Sequence, residues 1–382
     1  MSASLSRVFR EPQPSVLFSM ISPARFRVPR LSIILPVQGN PTQMEDALVS
    51  VLENRPADCE ILVVLNEPYD DPYHLQDEVC FIEAPRQSRL VDIINLGIAV
   101  SRAPLVHLLA CGVEVGAAWA EQALGHFADP TVAAVVPWVR DRREPQQVVS
   151  AGAAYDRCGR VRKLAAASED DAPAQLDAVV DPDLPVAFYR KSALDRVGRF
   201  SRKTGERLSC VDAAIAMEHA GFRCVVEPHC ATYAAETPRR RESAFSRGWA
   251  AERLFWRWAP HKGWLASLPL HLWMVVRQCA AGLPRLATFM ELLGRILGAM
   301  QVREHCSHWQ SLRNRRRDDP ASPLTQGPHS ASRPAMVESS YGTQSDSLVA
   351  PPRTHEGVGP AYAPSRCPGS NASRTHQRGG VI

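Results

Sequence analysis

Short apolar runs alternate with a helical pattern near the start of this chain, and this alternation limits the folds it can adopt. Residues 31–37 read Leu-Ser-Ile-Ile-Leu-Pro-Val, a buried-strand pattern that ends near a proline. Residues 44–54 repeat apolar side chains at the spacing of a helix packed on a sheet, and residues 60–64 form a second strand pattern. The alternation predicts right-handed βαβ units on a mostly parallel sheet, and therefore an α/β fold.

The run from Leu108 to Trp119 has the most informative pattern in the chain. It reads Leu-Leu-Ala-Cys-Gly-Val-Glu-Val-Gly-Ala-Ala-Trp. This run resembles the family 2 glycosyltransferases, in which an apolar strand ends in an acidic metal-binding triplet and continues to a small-residue turn and a Trp. The triplet is Asp-X-Asp in most members and Asn-Asn-Asp in the rhamnosyltransferase-like branch. Here Ala110, Cys111 and Gly112 stand in its place.

Four further segments occur in the order of that family. They are the opening strand at 31–37, Asn-Leu-Gly at 95–97 ahead of a strand at 105–109, residues 188–200, and residues 211–228. Residues 188–200 resemble the acceptor-side signature, in which Arg190 is the acceptor-side residue. The resemblance implies a GT-A nucleotide-sugar-binding fold over 30–237, with a mostly parallel central sheet flanked by helices.

The resemblance also implies a nucleotide-sugar site at the carboxyl ends of the strands, where open α/β sheets bind ligands. Leu65 and Asn66 stand where the family has an Asp pair, and Asn66 can still donate and accept hydrogen bonds with a base. The residues placed at this site by the resemblance are Pro36, Val37, Asn66, Asn95, Ala110 and Gly112.

The catalytic carboxylate of the family precedes a late helix as Glu-Asp-Val-Asp, and here the segment reads Ser209-Cys210-Val211-Asp212. Cys210 stands at the base position of the family, and the following acid, Asp212, is therefore the one candidate general base that remains. The alternative is a structural acid, because an N-terminal helix position favours negative charge.

No metal site is predicted, although the family uses Mn²⁺ or Mg²⁺, because Ala110 and Gly112 offer no side-chain oxygen ligand. Glu114 is either a displaced ligand or a solvated loop carboxylate. Cys111, Cys210 and His107 leave open a soft-metal site, and small buried Cys side chains as core fillers are the alternative.

Residues 238–300 are basic and rich in Trp. Phe245, Trp249 and Trp256 recur at helical spacing, and 263–276 is uncharged but too short to span a membrane. The segment predicts either interfacial helices on a membrane or a helical cap on the sheet domain. The basic side chains assigned to its surface are Arg239, Arg240, Arg241, Arg247, Arg253, Arg257 and Lys262.

Composition sets the remaining expectations. The chain has 382 residues, 45% of them hydrophobic, which is enough for one large core. Ten Cys residues without paired spacing indicate a reducing cytoplasm rather than a disulfide framework. We expect a flexible extension over 1–29 and, because large apolar residues are scarce, a disordered tail over 301–382. The basic run at 313–317 is interpreted as a solvated linker, and no nucleic-acid partner is expected.

Two functions follow from these observations. One is a nucleotide-sugar-dependent, inverting glycosyltransferase acting on a glycan or lipid-linked acceptor. The other is a catalytically silent homologue that serves as a binding or scaffold partner in polysaccharide assembly. In both cases the expected location is cytoplasmic or peripheral at the inner face of the cell membrane.

Overall fold

The fold is described from a computed structural model, in which residues 28–38, 41–164, 178–179, 185–234, 242–259 and 263–301 can be described. The predicted tail over 301–382 lies outside these residues except for residue 301, and the extension over 1–29 lies outside except for its last two residues. Arg239, Arg240, Arg241 and Lys262 are also outside the described ranges.

Twelve strands and eight helices form the described chain. The strands are β1 (Leu31–Val37), β2 (Cys59–Leu65), β3 (Val79–Glu83), β4 (Leu105–Leu108), β5 (Val113–Val115), β6 (Val132–Asp141), β7 (Val148–Ser150), β8 (Ala153–Tyr155), β9 (Val161–Lys163), β10 (Ala178–Val179), β11 (Ala187–Arg190) and β12 (Arg223–Ala234). The helices are α1 (Pro41–Glu53), α2 (Leu90–Val100), α3 (Trp119–His126), α4 (Lys191–Val197), α5 (Gly205–His219), α6 (Ala244–Trp258), α7 (Trp264–Gly282) and α8 (Leu286–Met300).

The central sheet has the order β3-β2-β1-β4-β11-β6-β12-β5, and β7 pairs with β6. The pairs β1–β2, β1–β4, β2–β3 and β6–β12 are parallel, whereas β5, β7 and β11 run antiparallel to their neighbours. The predicted α/β class, with a mostly parallel central sheet flanked by helices, is confirmed. A second small sheet has the order β10-β8-β9.

Side chains of β1 alternate between two hydrophobic layers, one on each face of the sheet. Ile34 packs with α2 and α5, whereas Ile33 and Leu35 pack with α1 and α3. Gly97 allows α2 to approach the sheet closely, because a Cβ at this position would lie 2.7 Å from Ile34 Cγ2. Burial on both faces explains why residues 31–35 read as a nearly continuous apolar run.

Helices α6, α7 and α8 follow the sheet domain, and α6 packs closely on α8. Glycines make this packing possible, because a Cβ on Gly248 would lie 2.0 Å from Glu291 O and one on Gly294 would lie 2.1 Å from Phe245 O. Within the described residues, none of the helices combines the length and the apolar character that crossing a membrane requires.

Candidate functional site

The carboxyl ends of β1, β2 and β4 bring several of the sequence-predicted residues together. Val37, the last residue of β1, is paired with Leu65, the last residue of β2. Asn66 therefore lies directly beside the end of β1. Leu109 N–H donates to Ile34 O at 3.0 Å, and this contact carries the chain after β4 to the same edge at Ala110. Pro36, Val37, Asn66 and Ala110 therefore lie together at the carboxyl ends of the strands.

A tight turn spans Ala110–Val113, where the sequence resemblance led us to look for an acidic triplet. Val113 N–H donates to Ala110 O at 3.1 Å, and Gly112 N–H donates to Gln43 O of α1 at 3.2 Å. Gly112 has φ +86°, a left-handed conformation that favours glycine, so this position is set by backbone geometry. The turn therefore places backbone groups and small side chains at the carboxyl ends of the strands.

The donor set at this turn does not fit a hard divalent cation. The Cys111 thiol donates to Pro36 O at 3.4 Å, and Gly112 has no side chain. Glu114 lies on the edge strand β5 rather than in a solvated loop, and its carboxylate pairs with Arg142. Within the described residues there is no group of three or more His, Cys, Asp and Glu side chains placed to hold a metal ion.

Asp212 lies in the middle of α5, so its expected position near a helix N-terminus was wrong. The helix starts seven residues earlier, at Gly205, and Asp212 is only 3% exposed. Arg257 Nε of α6 lies 2.7 Å from Asp212 Oδ1 in an ion pair that lacks hydrogen-bond geometry, while Trp258 Nε1–H donates to the same oxygen at 2.8 Å. The carboxylate is thus held between two helices, away from solvent.

Burial acts on both members of this pair. Desolvation raises the pKa of Asp212 despite the nearby guanidinium, and desolvation lowers the pKa of Arg257 despite the nearby carboxylate. A raised pKa is a known attribute of general bases, but a base must also reach the proton that it removes. Asp212 is covered by α6, so the geometry favours a structural role.

The structure separates the three groups of the soft-metal hypothesis. Cys210 belongs to the hydrophobic layer that contains α2 and α5, whereas Cys111 packs against the layer on the other face of the sheet. His107 is fully buried, with its ring centroid 4.0 Å from that of Phe188 and 4.8 Å from that of Trp119. These positions correspond to the alternative, in which the side chains fill the core.

Asn95 makes structural contacts through both ends of its side-chain amide. Its Nδ2 donates to Phe200 O at 2.8 Å, and its Oδ1 accepts from Phe200 N–H at 3.1 Å. The amide therefore fixes the chain after α4 against α2.

Arg190 lies at the opposite edge of the sheet from Asn66 and Ala110. It is paired with Leu105, the first residue of β4, because β11 runs antiparallel to β4. Its guanidinium donates to three carbonyl oxygens at 2.9–3.0 Å, those of Phe127 and Asp129 in the loop before β6 and that of Val132 at the start of β6. The structure does not bring Arg190 to the candidate site.

The loop after β2 carries acids that the sequence interpretation did not include. Asp70 is exposed and Asp71 is 4% exposed. Asp71 Oδ1 accepts from Leu75 N–H at 3.1 Å, whereas its buried Oδ2 has no hydrogen-bond partner among the described residues. Tyr69 of the same loop donates to Glu45 of α1 at 3.0 Å. The adjacent residues Asp70 and Asp71, a few positions past β2, were the feature of the sequence that could have indicated these acids.

Comparison with known proteins gives distant structural likenesses. No protein-family model matches the chain, and no curated protein sequence matches it. It is similar to S. aureus TarS 1–349, with a TM-score of 0.46 and 12% identity over 76% of this chain and 88% of that one. It is also similar to the mannosyltransferase PcManGT from Pyrobaculum calidifontis in complex with GDP-Man and Mn²⁺, with a TM-score of 0.42 and 18% identity over 76% and 86%.

A third similar structure is that of GalNAc-T7 with UDP, GalNAc and Mn²⁺. The TM-score is 0.44 and the identity is 12%, and the match covers 62% of this chain. The chain spans about half of that protein, 48% of its length. These values describe a likeness of backbone arrangement and give no information on substrates of this chain.

Proposed function

We propose that this protein is a catalytically silent member of the family 2 glycosyltransferases, of the rhamnosyltransferase-like branch, that serves as a binding or scaffold partner in polysaccharide assembly. The observation that carries this proposal is the burial of Asp212 under Arg257 and Trp258. Cys210 occupies the position of the catalytic base, and the nearby carboxylate of Asp212 serves to join α5 to α6, so it is not available to an acceptor hydroxyl.

The proposal keeps a nucleotide-sugar as the ligand at the carboxyl edge of the sheet. Asn66 is half-buried at that edge, and no hydrogen bond to its side chain is found among the described residues. Its amide can therefore contact a base, and the exposed carboxylate of Asp70 on the same loop can accept a hydrogen bond from a hydroxyl group. The positions of Asn66 and Asp70 at this end of the sheet also favour the second candidate, an active glycosyltransferase with a glycan or lipid-linked acceptor.

Thermal stability in the presence of nucleotides tests this site. Because a ligand that binds only the folded state raises its melting temperature, UDP, GDP or dTDP should give an increase. We expect Mn²⁺ or Mg²⁺ to add nothing, since the turn at Ala110–Val113 offers no oxygen ligand set, and Asn66→Ala should abolish the nucleotide effect. A metal-dependent increase that Glu114→Ala removes would contradict this proposal.

We also propose that α7 and α8 contact an anionic membrane surface. Large apolar side chains are exposed along both helices, with Trp273 67% exposed and Leu286 76% exposed. In residues 263–301 the exposed ionisable side chains are Arg277 and Arg285, and no carboxylate of this segment is fully exposed. An apolar face whose exposed charges are all positive is complementary to an anionic bilayer surface.

The residues that make this face differ from those expected from the sequence. Arg253 and Arg257 were assigned to a basic surface, and both are buried. Arg253 lies over the Trp249 ring at 4.0 Å from its centroid, and Trp256 donates to Glu252 at 2.9 Å. The membrane contact is therefore assigned to α7 and α8, and α6 serves as the helical cap on the sheet domain.

A further inference from the structure

A cavity of about 360 Å³ lies between α7 and the turn that joins β8 to β9. Leu270 and Trp273 contribute its apolar wall, and Arg160, Arg277, Gln278 and Asp156 contribute polar groups. Its volume falls within the range of small-molecule sites in proteins. The cavity opens beside the exposed apolar face of α7.

The turn between β8 and β9 is fastened to the helices, so the cavity has a defined shape. His271 of α7 is 1% exposed, and its Nδ1 hydrogen-bonds to Cys158 O of the turn at 2.7 Å. The His271 ring stacks on Phe255 of α6 at 3.7 Å between centroids. Gly159 has φ +82°, and a Cβ there would lie 2.8 Å from Phe255. The turn can approach the helices this closely because Gly159 has no side chain.

Two guanidinium groups of the cavity, those of Arg160 and Arg277, have no polar side-chain partner within the part of the chain that the structure describes. The side chains of Arg160 and Arg277 are exposed, and neither makes a hydrogen bond or ion pair with another described residue. The carboxylate of Asp156 forms no ion pair with either of them, and its Oδ1 accepts from the backbone N–H groups of Cys158 and Arg160. The cavity therefore combines two unpaired positive groups with an apolar wall.

We propose that this cavity binds the phosphomonoester head group of an anionic lipid, with the phosphate at Arg160 and Arg277 and the glycerol backbone against Leu270 and Trp273. Guanidinium forks match phosphate oxygens, and a phosphomonoester carries a charge of about −1.5 to −2 at pH 7. Indole rings favour the boundary between apolar and polar regions of a membrane. This inference rests on the proposed membrane contact. It adds a preference for one lipid head group, which surface charge alone does not produce.

Sedimentation with two kinds of vesicle tests the preference. Phosphatidylcholine vesicles contain either phosphatidic acid or phosphatidylglycerol, at fractions that give equal zeta potential. We expect the wild type to bind phosphatidic acid vesicles about tenfold more tightly, the effect of about one charge-assisted hydrogen bond. Arg160→Ala and Arg277→Ala should each remove this preference.

Arg285→Ala is the matched control, because Arg285 is exposed at the start of α8 and does not line the cavity. It should weaken binding to both vesicles by the same factor, about fivefold for one basic residue near an anionic surface. Equal binding of the wild type to both vesicles would overturn the head-group site. A preference that survives Arg160→Ala and Arg277→Ala, or that Arg285→Ala removes equally, would overturn it as well.

A soluble lipid separates this inference from the membrane contact on which it rests. Dihexanoyl phosphatidic acid, below its critical micelle concentration, should change the fluorescence of Trp273, and Arg160→Ala should abolish the change. If the soluble lipid binds while no vesicle sediments the protein, the membrane contact is wrong and the head-group site stands. If vesicles bind but the soluble lipid does not, the head-group site is wrong and the membrane contact stands.

Discussion

Acidification from pH 7.5 to pH 5 should destabilise this protein by about 2 kcal/mol through a single side chain, that of His107. Burial lowers the pKa of His107 from its ordinary 6.5 to about 3. The Ala187 backbone opposes this shift only slightly, and neither ring nitrogen makes a hydrogen bond of good geometry among the described residues. Between pH 6.5 and pH 3 the unfolded chain binds a proton that the folded protein excludes, so stability falls with falling pH by about 1.4 kcal/mol per pH unit.

Urea denaturation of the wild type and of His107→Phe, at several pH values between 5 and 7.5, measures this effect. Phe cannot titrate and can occupy the space between Trp119 and Phe188, so the variant should lose the pH dependence that His107 contributes. His74→Gln is the control, because His74 is exposed. It should keep the wild-type pH dependence. Identical slopes for wild type and His107→Phe would show that His107 becomes protonated in the folded state and would refute the argument.

The range from pH 5 to 7.5 lies above the pH values at which most of the protonation of a second buried group, Glu60, takes place. Burial tends to raise the pKa of Glu60, but hydrogen bonds from Ser32 and from Arg102 outweigh it, and the pKa lies below its ordinary 4.5. The stability that Glu60 contributes is present above that ordinary value and is lost as the pH falls through its lowered pKa. Between pH 5 and 7.5 this carboxylate is mostly ionised in both the folded and the unfolded state, so it adds little to the pH dependence.

Three further predictions concern the helical region. Asp212→Asn should lower the free energy of unfolding by about 3–5 kcal/mol in urea denaturation, because Arg257 is left buried without its counter-charge. A loss below about 1 kcal/mol would contradict the buried pair. Gly294→Ala should lower the melting temperature clearly, since its Cβ would lie 2.1 Å from Phe245 O, whereas Gly125→Ala has open space and should stabilise or have no effect. Anionic vesicles should shift the fluorescence of Trp273 to the blue, an effect that Trp273→Phe removes; an unchanged shift in that variant would assign the contact to another Trp.

Local sequence patterns were sufficient to predict much of the sheet. The strands at 31–37 and 60–64 were predicted from their continuous apolar character, which reflects burial on both faces. The strand at 105–109 was expected from the family resemblance. Strand β3 was missed because its burial is interrupted by exposed residues at positions 80 and 83. The antiparallel direction of β11 was also missed, because strand direction depends on partners distant in sequence.

The candidate site could also be predicted only where it depends on local sequence. The substitutions of the acidic triplet could be read directly from Ala110, Cys111 and Gly112. The burial of Asp212 could not be predicted, because its partner Arg257 lies on a helix that follows the sheet domain in sequence. Arg253 and Arg257 were wrongly assigned to a surface for a related reason, since the packing of α5 and α8 around α6 is determined by long-range contacts.

A sugar-transfer assay tests most directly whether Asp212, the one acid left near the proposed base position, is structural rather than catalytic. The protein is incubated with UDP-, GDP- and dTDP-sugars, Mn²⁺ and vesicles that carry glycan and lipid acceptors, and released nucleotide is measured. We expect no release above that of the buffer for any donor. Release that disappears in Asp212→Asn, under conditions where circular dichroism shows that variant to be folded, would show that Asp212 is a catalytic base and that the proposed silent role is wrong.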